Sequence, residues 1–146
     1  MKKNFDIRLA VLREYLKSLF DKNYDRKLAP AERNAVKQIV VWNMGISNLK
    51  GIEFFPNLKY LNCTGNELTS LDVHENTALT YLDCSKNKLT GLDVRQNAAL
   101  QSLYCYNNQL TSLDVHENTA LEYLSCAENK LSSLDVSNNT ALDVLY

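Results

Sequence analysis

Glycine and proline are scarce, at 4 and 2 residues in a chain of 146. That leaves no composition for a flexible linker or a disordered region. No run of about 18 apolar residues occurs, so no membrane-spanning helix is expected. An excess of one charge is missing too: 16 Lys and Arg face 17 Asp and Glu, for a net charge of -1. No basic cluster marks a phosphate-tracking surface, so nucleic acid is not an expected partner. There is no Gly-rich phosphate loop and no nucleophile beside a base, so no enzyme is expected. Met1-Lys2-Lys3 invites a leader-peptide reading, but residues 5–14 carry charges where an uninterrupted apolar run is needed. A chain whose leader had been removed would read the same way, so the compartment stays open.

What the chain does contain is a period. Cys63, Cys84, Cys105 and Cys126 are each 21 residues apart. Leu58, Leu79, Leu100, Leu121 and Leu142 keep step with them, as do Leu61, Leu82, Leu103, Leu124 and Leu145. Asn66, Asn87, Asn108 and Asn129 form one asparagine column, and Asn76, Asn97, Asn118 and Asn139 another. The unit reads LxxLxCxxNxLxxLDVxxNxx. A fixed period of this length predicts stacked coils, each too small to bury its own apolar side.

These columns resemble the leucine-rich-repeat family from about residue 39 to residue 146, and within it the bacterial 21-residue class with nested periodicity (IRREKO repeats). Ile46, Leu49, Ile52, Phe55, Leu58 and Leu61 recur every three residues. That run resembles the internalin-type repeat and lengthens the first coil by one residue. The resemblance implies an α/β repeat solenoid: a right-handed superhelix with a parallel β-sheet, a non-helical convex side and a helical N-terminal cap. Residues 1–38 form the cap. Residues 39–146 hold the first coil, four full repeats and the start of a fifth. The resemblance also implies binding to another protein, with cell-surface or secreted placement if a leader has been removed.

Alternation supplies the strands. Leu61 and Cys63 point inward, while Tyr60 and Asn62 point outward, and equivalent strands lie about 4.8 Å apart. Val40 and Trp42 read as inward residues of the first strand, which puts Ile39, Val41 and Asn43 on its outer side. Leu71-Asp72-Val73 alternates in the same way and predicts a second, shorter strand-like run on the far side. Each Asn of the first column sits where the chain turns, its amide free to bond unpaired backbone groups. The thiols are expected to be buried and reduced. Stacked parallel Cβ atoms stay near 4.8 Å, beyond the ~3.8 Å of a disulfide, and four thiols in line cannot build a tetrahedral metal site.

Before the repeats, Phe5, Leu9, Leu12, Leu16 and Leu19 predict an amphipathic helix over residues 4–20. A second helix is expected from Pro30 through Val36. Between them, residues 21–32 have the spacing of an EF-hand loop, with Asp21, Asn23 and Asp25 at positions 1, 3 and 5, Lys27 offering its carbonyl and Glu32 at position 12. Arg26 stands where such loops carry Gly. The loop is either a weak Ca2+ site bracing the cap or a loop that keeps the helix–loop–helix shape without metal.

The outward columns carry six of the 8 Tyr residues. Tyrosine offers contact area with a polar tip and little rotamer entropy to lose, but it also suits strands. Tyr60, Asn62, Tyr81, Asp83, Tyr104, Tyr106 and Tyr123 are the expected partner-binding residues. The alternative is a structural or self-associating module: core positions Leu142 and Leu145 lie in a unit that breaks off at Tyr146, which points to an end-to-end homodimer or a truncated chain. On the far side Asp72, Asp93, Asp114 and Asp135 stack, and local bonds to backbone amides are expected to relieve their repulsion. His74 and His116 fall two coils apart, too far to share a metal.

Overall fold

The computed structural model describes residues 14, 16–18, 20–21 and 28–146. Six short strands build one parallel sheet: β1 (Gln38–Val40), β2 (Tyr60–Asn62), β3 (Tyr81–Asp83), β4 (Ser102–Tyr104), β5 (Tyr123–Ser125) and β6 (Val144–Leu145). They lie side by side in chain order. Each strand therefore opens one coil of a solenoid, as the period requires. From β2 onward equivalent residues pair in register at the sequence period: Leu61 with Leu82, Leu82 with Leu103, Leu103 with Leu124.

The first coil differs. Ile39 pairs with Leu61 and Val40 with Asn62, so one additional residue separates β1 from β2. Ile39 and Val41 are consequently buried, whereas Trp42 is 56% exposed and Val40 only half-buried. This reverses the inward assignment of Val40 and Trp42. Side chains alternate with period 2, so a one-residue slip moves the whole strand to the opposite face. Ser85 is a second correction, since it sits in an outward column yet is fully buried.

The interior is one continuous file of Leu, Ile, Val and Cys. Leu58, Leu61, Leu79, Leu82, Leu100 and Leu103 expose nothing to solvent. Each such side chain contributes about 1.5–3 kcal/mol of burial, offsetting the entropy of ordering a coil that has no core of its own. Just past each strand the chain turns through a left-handed residue: Asn43, Lys86, Asn107 and Glu128 have φ near 54°, and Gly65 holds the same place at 67°.

The first asparagine column closes this turn. Asn87 donates through Nδ2 to the carbonyls of Cys63, Cys84 and Ser85, and its Oδ1 accepts the Leu68 N–H at 3.0 Å. Asn66, Asn108 and Asn129 repeat the arrangement. The second column donates only. Nδ2 of Asn97 reaches the Val73 and Asn76 carbonyls at 3.0 and 2.9 Å. The buried Oδ1 atoms of Asn76, Asn97, Asn118 and Asn139 meet no donor.

The far side of the coils is more extended than strand-like. The expected second strand is reduced to single bridges, Asp72 to Asp93 and Asp93 to Asp114. One 3-10 turn, Ile52–Phe54, follows Gly51, whose φ of 110° admits glycine readily. It departs from the expected non-helical far side in the first coil, where the three-residue spacing of Leu49, Ile52 and Phe55 suits such a turn.

At the N-terminal end, residues 14, 16–18 and 20 are helical, with Leu16 buried and Phe20 packed on the core. The rest of the helix expected over 4–20 lies outside the described residues. A second helix runs Pro30–Ala35, with Pro30 in its first turn and the Glu32 carboxylate accepting the Ala29 N–H at 2.9 Å. Val36 belongs to the buried core and Leu28 packs against it.

Candidate functional site

Two surfaces carry chemistry, the open face of the sheet and the asparagine–aspartate side opposite. On the sheet, the outward alternation of β2 and β3 places Tyr60 directly beside Tyr81. Their rings stack at 4.2 Å between centroids and 7° between planes. Tyr104, one coil on and two positions along, leans against Tyr81 at 5.5 Å and 41°. Stacked pairs of this kind add about 0.5–1.5 kcal/mol beyond burial. Tyr60, Tyr81, Tyr104 and Tyr106 are half-buried and Tyr123 is exposed. Burial, then the neighbouring Tyr60 hydroxyl, raises the pKa of the Tyr81 phenol, so the hydroxyl stays protonated. Lys86 sits over the Tyr106 ring, Nζ to centroid 5.8 Å, within cation–π range.

All seven expected partner-binding residues fall on this face, but they are not equivalent. Asn62 Oδ1 accepts the Thr64 N–H at 3.1 Å, and Asp83 Oδ1 accepts the Ser85 N–H at 3.0 Å. Both side chains therefore fasten the strand end as well as facing outward. Trp42 is the residue that sequence reasoning placed on the wrong side. It aligns with Thr64, whose carbonyl accepts the Asn43 N–H, and it is the most exposed aromatic of the strand face after the final Tyr146. The three-residue spacing of the first coil already signalled the additional residue. Carrying that insertion back into β1 would have turned Trp42 outward.

On the opposite side each Asp of the stack bonds its own turn. Oδ1 of Asp72, Asp93, Asp114 and Asp135 accepts the N–H two residues on, at 2.9–3.1 Å. Side-chain partners add to this. Arg95 clasps both oxygens of Asp93, holding its pKa down at about 2. His74 and His116 each bond Asp72 or Asp114 through Nδ1 at 2.5 Å and Glu75 or Glu117 through Nε2 at 3.1 and 3.0 Å. The hydrogen bond to the aspartate is the main cause raising each imidazole pKa, and the same bond to the histidine is the main cause lowering that of the aspartate. The expected local relief of the aspartate stack is what the geometry shows.

All four cysteines are free and buried. Burial pushes the Cys105 thiol up to about 12 and Cys84 well above its ordinary 9.0. Neutral thiols of this kind fill space and are poor nucleophiles. Among the described residues no three His, Cys, Asp or Glu side chains gather at metal-binding distance. Of the expected calcium loop, Asn23, Asp25 and Lys27 lie outside the described residues. Glu32 has one oxygen engaged at the helix start, whereas an EF-hand glutamate presents both oxygens to the ion.

Two overlapping stretches, residues 77–118 and 98–139, match the family of leucine-rich repeats. These coils are leucine-rich repeats. No curated protein matches the chain in sequence. Among solved structures, the chain is similar to the functional domain of InlJ from Listeria monocytogenes, described as including a cysteine ladder. They share 36% identity over 87% of this chain and 31% of that one, with a TM-score of 0.78. It is similar to a leucine-rich-repeat protein of Leptospira interrogans at 30% identity, over 68% of this chain and 28% of the other, TM-score 0.60. The Listeria internalin InlF shares the fold, at 24% identity, TM-score 0.71, over 93% of this chain and 48% of its own. The chain thus spans less than half the length of each of these structures. Its structural neighbours are bacterial leucine-rich-repeat proteins of internalin type. Among the described residues no helix is long and apolar enough to cross a membrane.

Proposed function

We propose that this chain is a protein-binding module that docks its partner on the open face of the sheet. The observation that carries this is the contiguous aromatic path Tyr60–Tyr81–Tyr104, flanked by exposed Trp42 and Tyr123. Rigid aromatic side chains on a preformed surface lose little entropy on contact, which is how interface anchors work. The likeness to internalin-type proteins of Listeria supports the class of function, and cell-surface or secreted placement is part of the same proposal. No catalytic role is proposed: the thiols are buried and neutral, and the aspartates are spent on their own turns.

Quantitative affinity capture tests the reading. The triple variant Trp42→Ala/Tyr81→Ala/Tyr104→Ala should lose at least tenfold in capture of any protein that the wild-type chain retains, hot-spot aromatics being worth about 2 kcal/mol or more. Arg95→Ala, on the opposite side, should capture normally. Equal capture by the triple variant, with an intact circular-dichroism spectrum, removes the sheet face from consideration.

A further inference from the structure

The rim where the strands begin is charged in an ordered way. Where the strands begin, the in-register column reads Lys37, Lys59, Thr80, Gln101, Glu122, Asp143, tied coil to coil by backbone bonds. Where the strands end the column reads Asn43, Gly65, Lys86, Asn107, Glu128, with Lys86 in the middle coil and the Glu128 carboxylate accepting the Asn107 amide at 2.6 Å. Lys37, Lys59, Lys86, Glu128 and Asp143 are exposed and Glu122 is half-exposed. The strand-start rim is therefore basic toward the N-terminal coils, neutral in the middle and acidic toward the C-terminal coils, whereas the strand-end rim has no such order. Asp83, the acid inside the face, is engaged with the Ser85 N–H. Beyond the asparagine turn, Glu67, Lys88, Gln109 and Lys130 follow no such order.

A surface with one basic and one acidic end, aromatic between, is complementary to itself when turned end for end. From this charge layout we infer that the face pairs with the same face of a second copy, about a two-fold axis parallel to the strands and passing between β3 and β4. This deepens the proposed use of the tyrosine face and rests on it. The operation sets Lys37 opposite Asp143, Lys59 opposite Glu122 and Thr80 opposite Gln101. Within the face it sets Tyr60 opposite Tyr123 and Asp83 opposite Tyr104. The arrangement is isologous: each contact occurs twice and the pair is closed. Like charges meet if the copies align in the same direction, so charge also selects the orientation.

The available area sets the strength. Six strands span about 24 Å, and the width from rim to rim is about 20 Å. That is roughly 500 Å² per copy, short of the ~800 Å² of a standard interface. The pairing is therefore weak, evident at high concentration, and sensitive to salt because its charges sit at the exposed rim where the strands begin.

Sedimentation equilibrium on the 146-residue chain tests this. At roughly 0.01 M salt, where screening sets in only beyond ~30 Å, dimer should accumulate as concentration rises toward about 1 mM, and in 1 M salt it should dissociate. Lys37→Glu/Lys59→Glu should weaken association at least about tenfold, as should Glu122→Lys/Asp143→Lys, since each reversal turns four rim attractions into repulsions. An equimolar mixture of the two variants should restore it, as a heterodimer. A wild-type chain monomeric throughout, reversals without effect, or a mixture that stays monomeric each overturns the inference. The tyrosine-face reading fails by a different result, unchanged capture by the triple aromatic variant.

Discussion

The two asparagine columns use one residue type at one period to different effect. Asn87 donates to three carbonyls and accepts one N–H, so both halves of its amide are used. Asn97 donates to two carbonyls and leaves a buried oxygen without a donor. The first column organises a tight turn whose backbone has both orphan donors and orphan acceptors. The second braces a turn whose carbonyls, those of Val73 and Asn76, already accept the N–H groups of Asn76 and Leu79. Repetition in sequence thus records that a position matters, while the number of bonds it makes sets how much.

The largest effect that sharpens this comparison belongs to Asn87→Ala. It removes three donations and strands the Leu68 N–H, while the carbonyls of Cys63, Cys84 and Ser85 keep Asn66, Asn108 and the Gly65 N–H, and should lower unfolding free energy in urea by about 2–3 kcal/mol. Asn97→Ala should cost roughly half of that, about 1 kcal/mol, because the Val73 and Asn76 carbonyls keep the N–H groups of Asn76 and Leu79 and an already unpaired oxygen is removed. Equal losses in the two variants would break the distinction. The first turn also carries the left-handed residue. Lys86→Gly relieves that conformation and should raise stability by up to about 1 kcal/mol in the same titration, less the lost contact with Tyr106. Gly65→Ala should do the reverse, because a methyl there also displaces the Asn43 amide.

The smallest effect lies in the aspartate column. His116 is held above its ordinary 6.5 mainly by Asp114, so Asp114→Asn should move its NMR titration midpoint down toward that value. The sign follows from linkage. A folded-state pKa raised above the unfolded one stabilises fully below pH 6.5 and fades as pH rises through the folded value. The wild-type chain should lose a little stability above neutral pH that the variant does not. An unmoved midpoint would show that Glu117 alone holds the ring.

The coils themselves were legible because each column solves the same packing problem in every unit. Leu61, Cys63 and Asn66 could be placed from alternation and turn chemistry without coordinates. Trp42 could not, because the first coil departs from the period by one residue and a period of two is unforgiving of a slip. The inequality of the asparagine columns was hidden for another reason: an amide looks the same in sequence whether or not its oxygen finds a donor. Ser85 escaped because Thr64, Tyr106 and Ala127, its column mates, are larger or more exposed, and alternation alone does not report how deep a small side chain lies.

Every long-range bond of the turn asparagines points toward the preceding coil: Asn87 to Cys63 and Leu68, Asn108 to Cys84 and Leu89, Asn129 to Cys105 and Leu110. A newly added unit brings with it everything needed to clip onto its predecessor and asks nothing new of the one it follows. Duplicating a 21-residue segment inside the array is then a structurally silent event. The reach of the tyrosine face becomes a quantity that copying alone can tune, lengthening or shortening the surface by about 4.8 Å per unit without redesigning any contact.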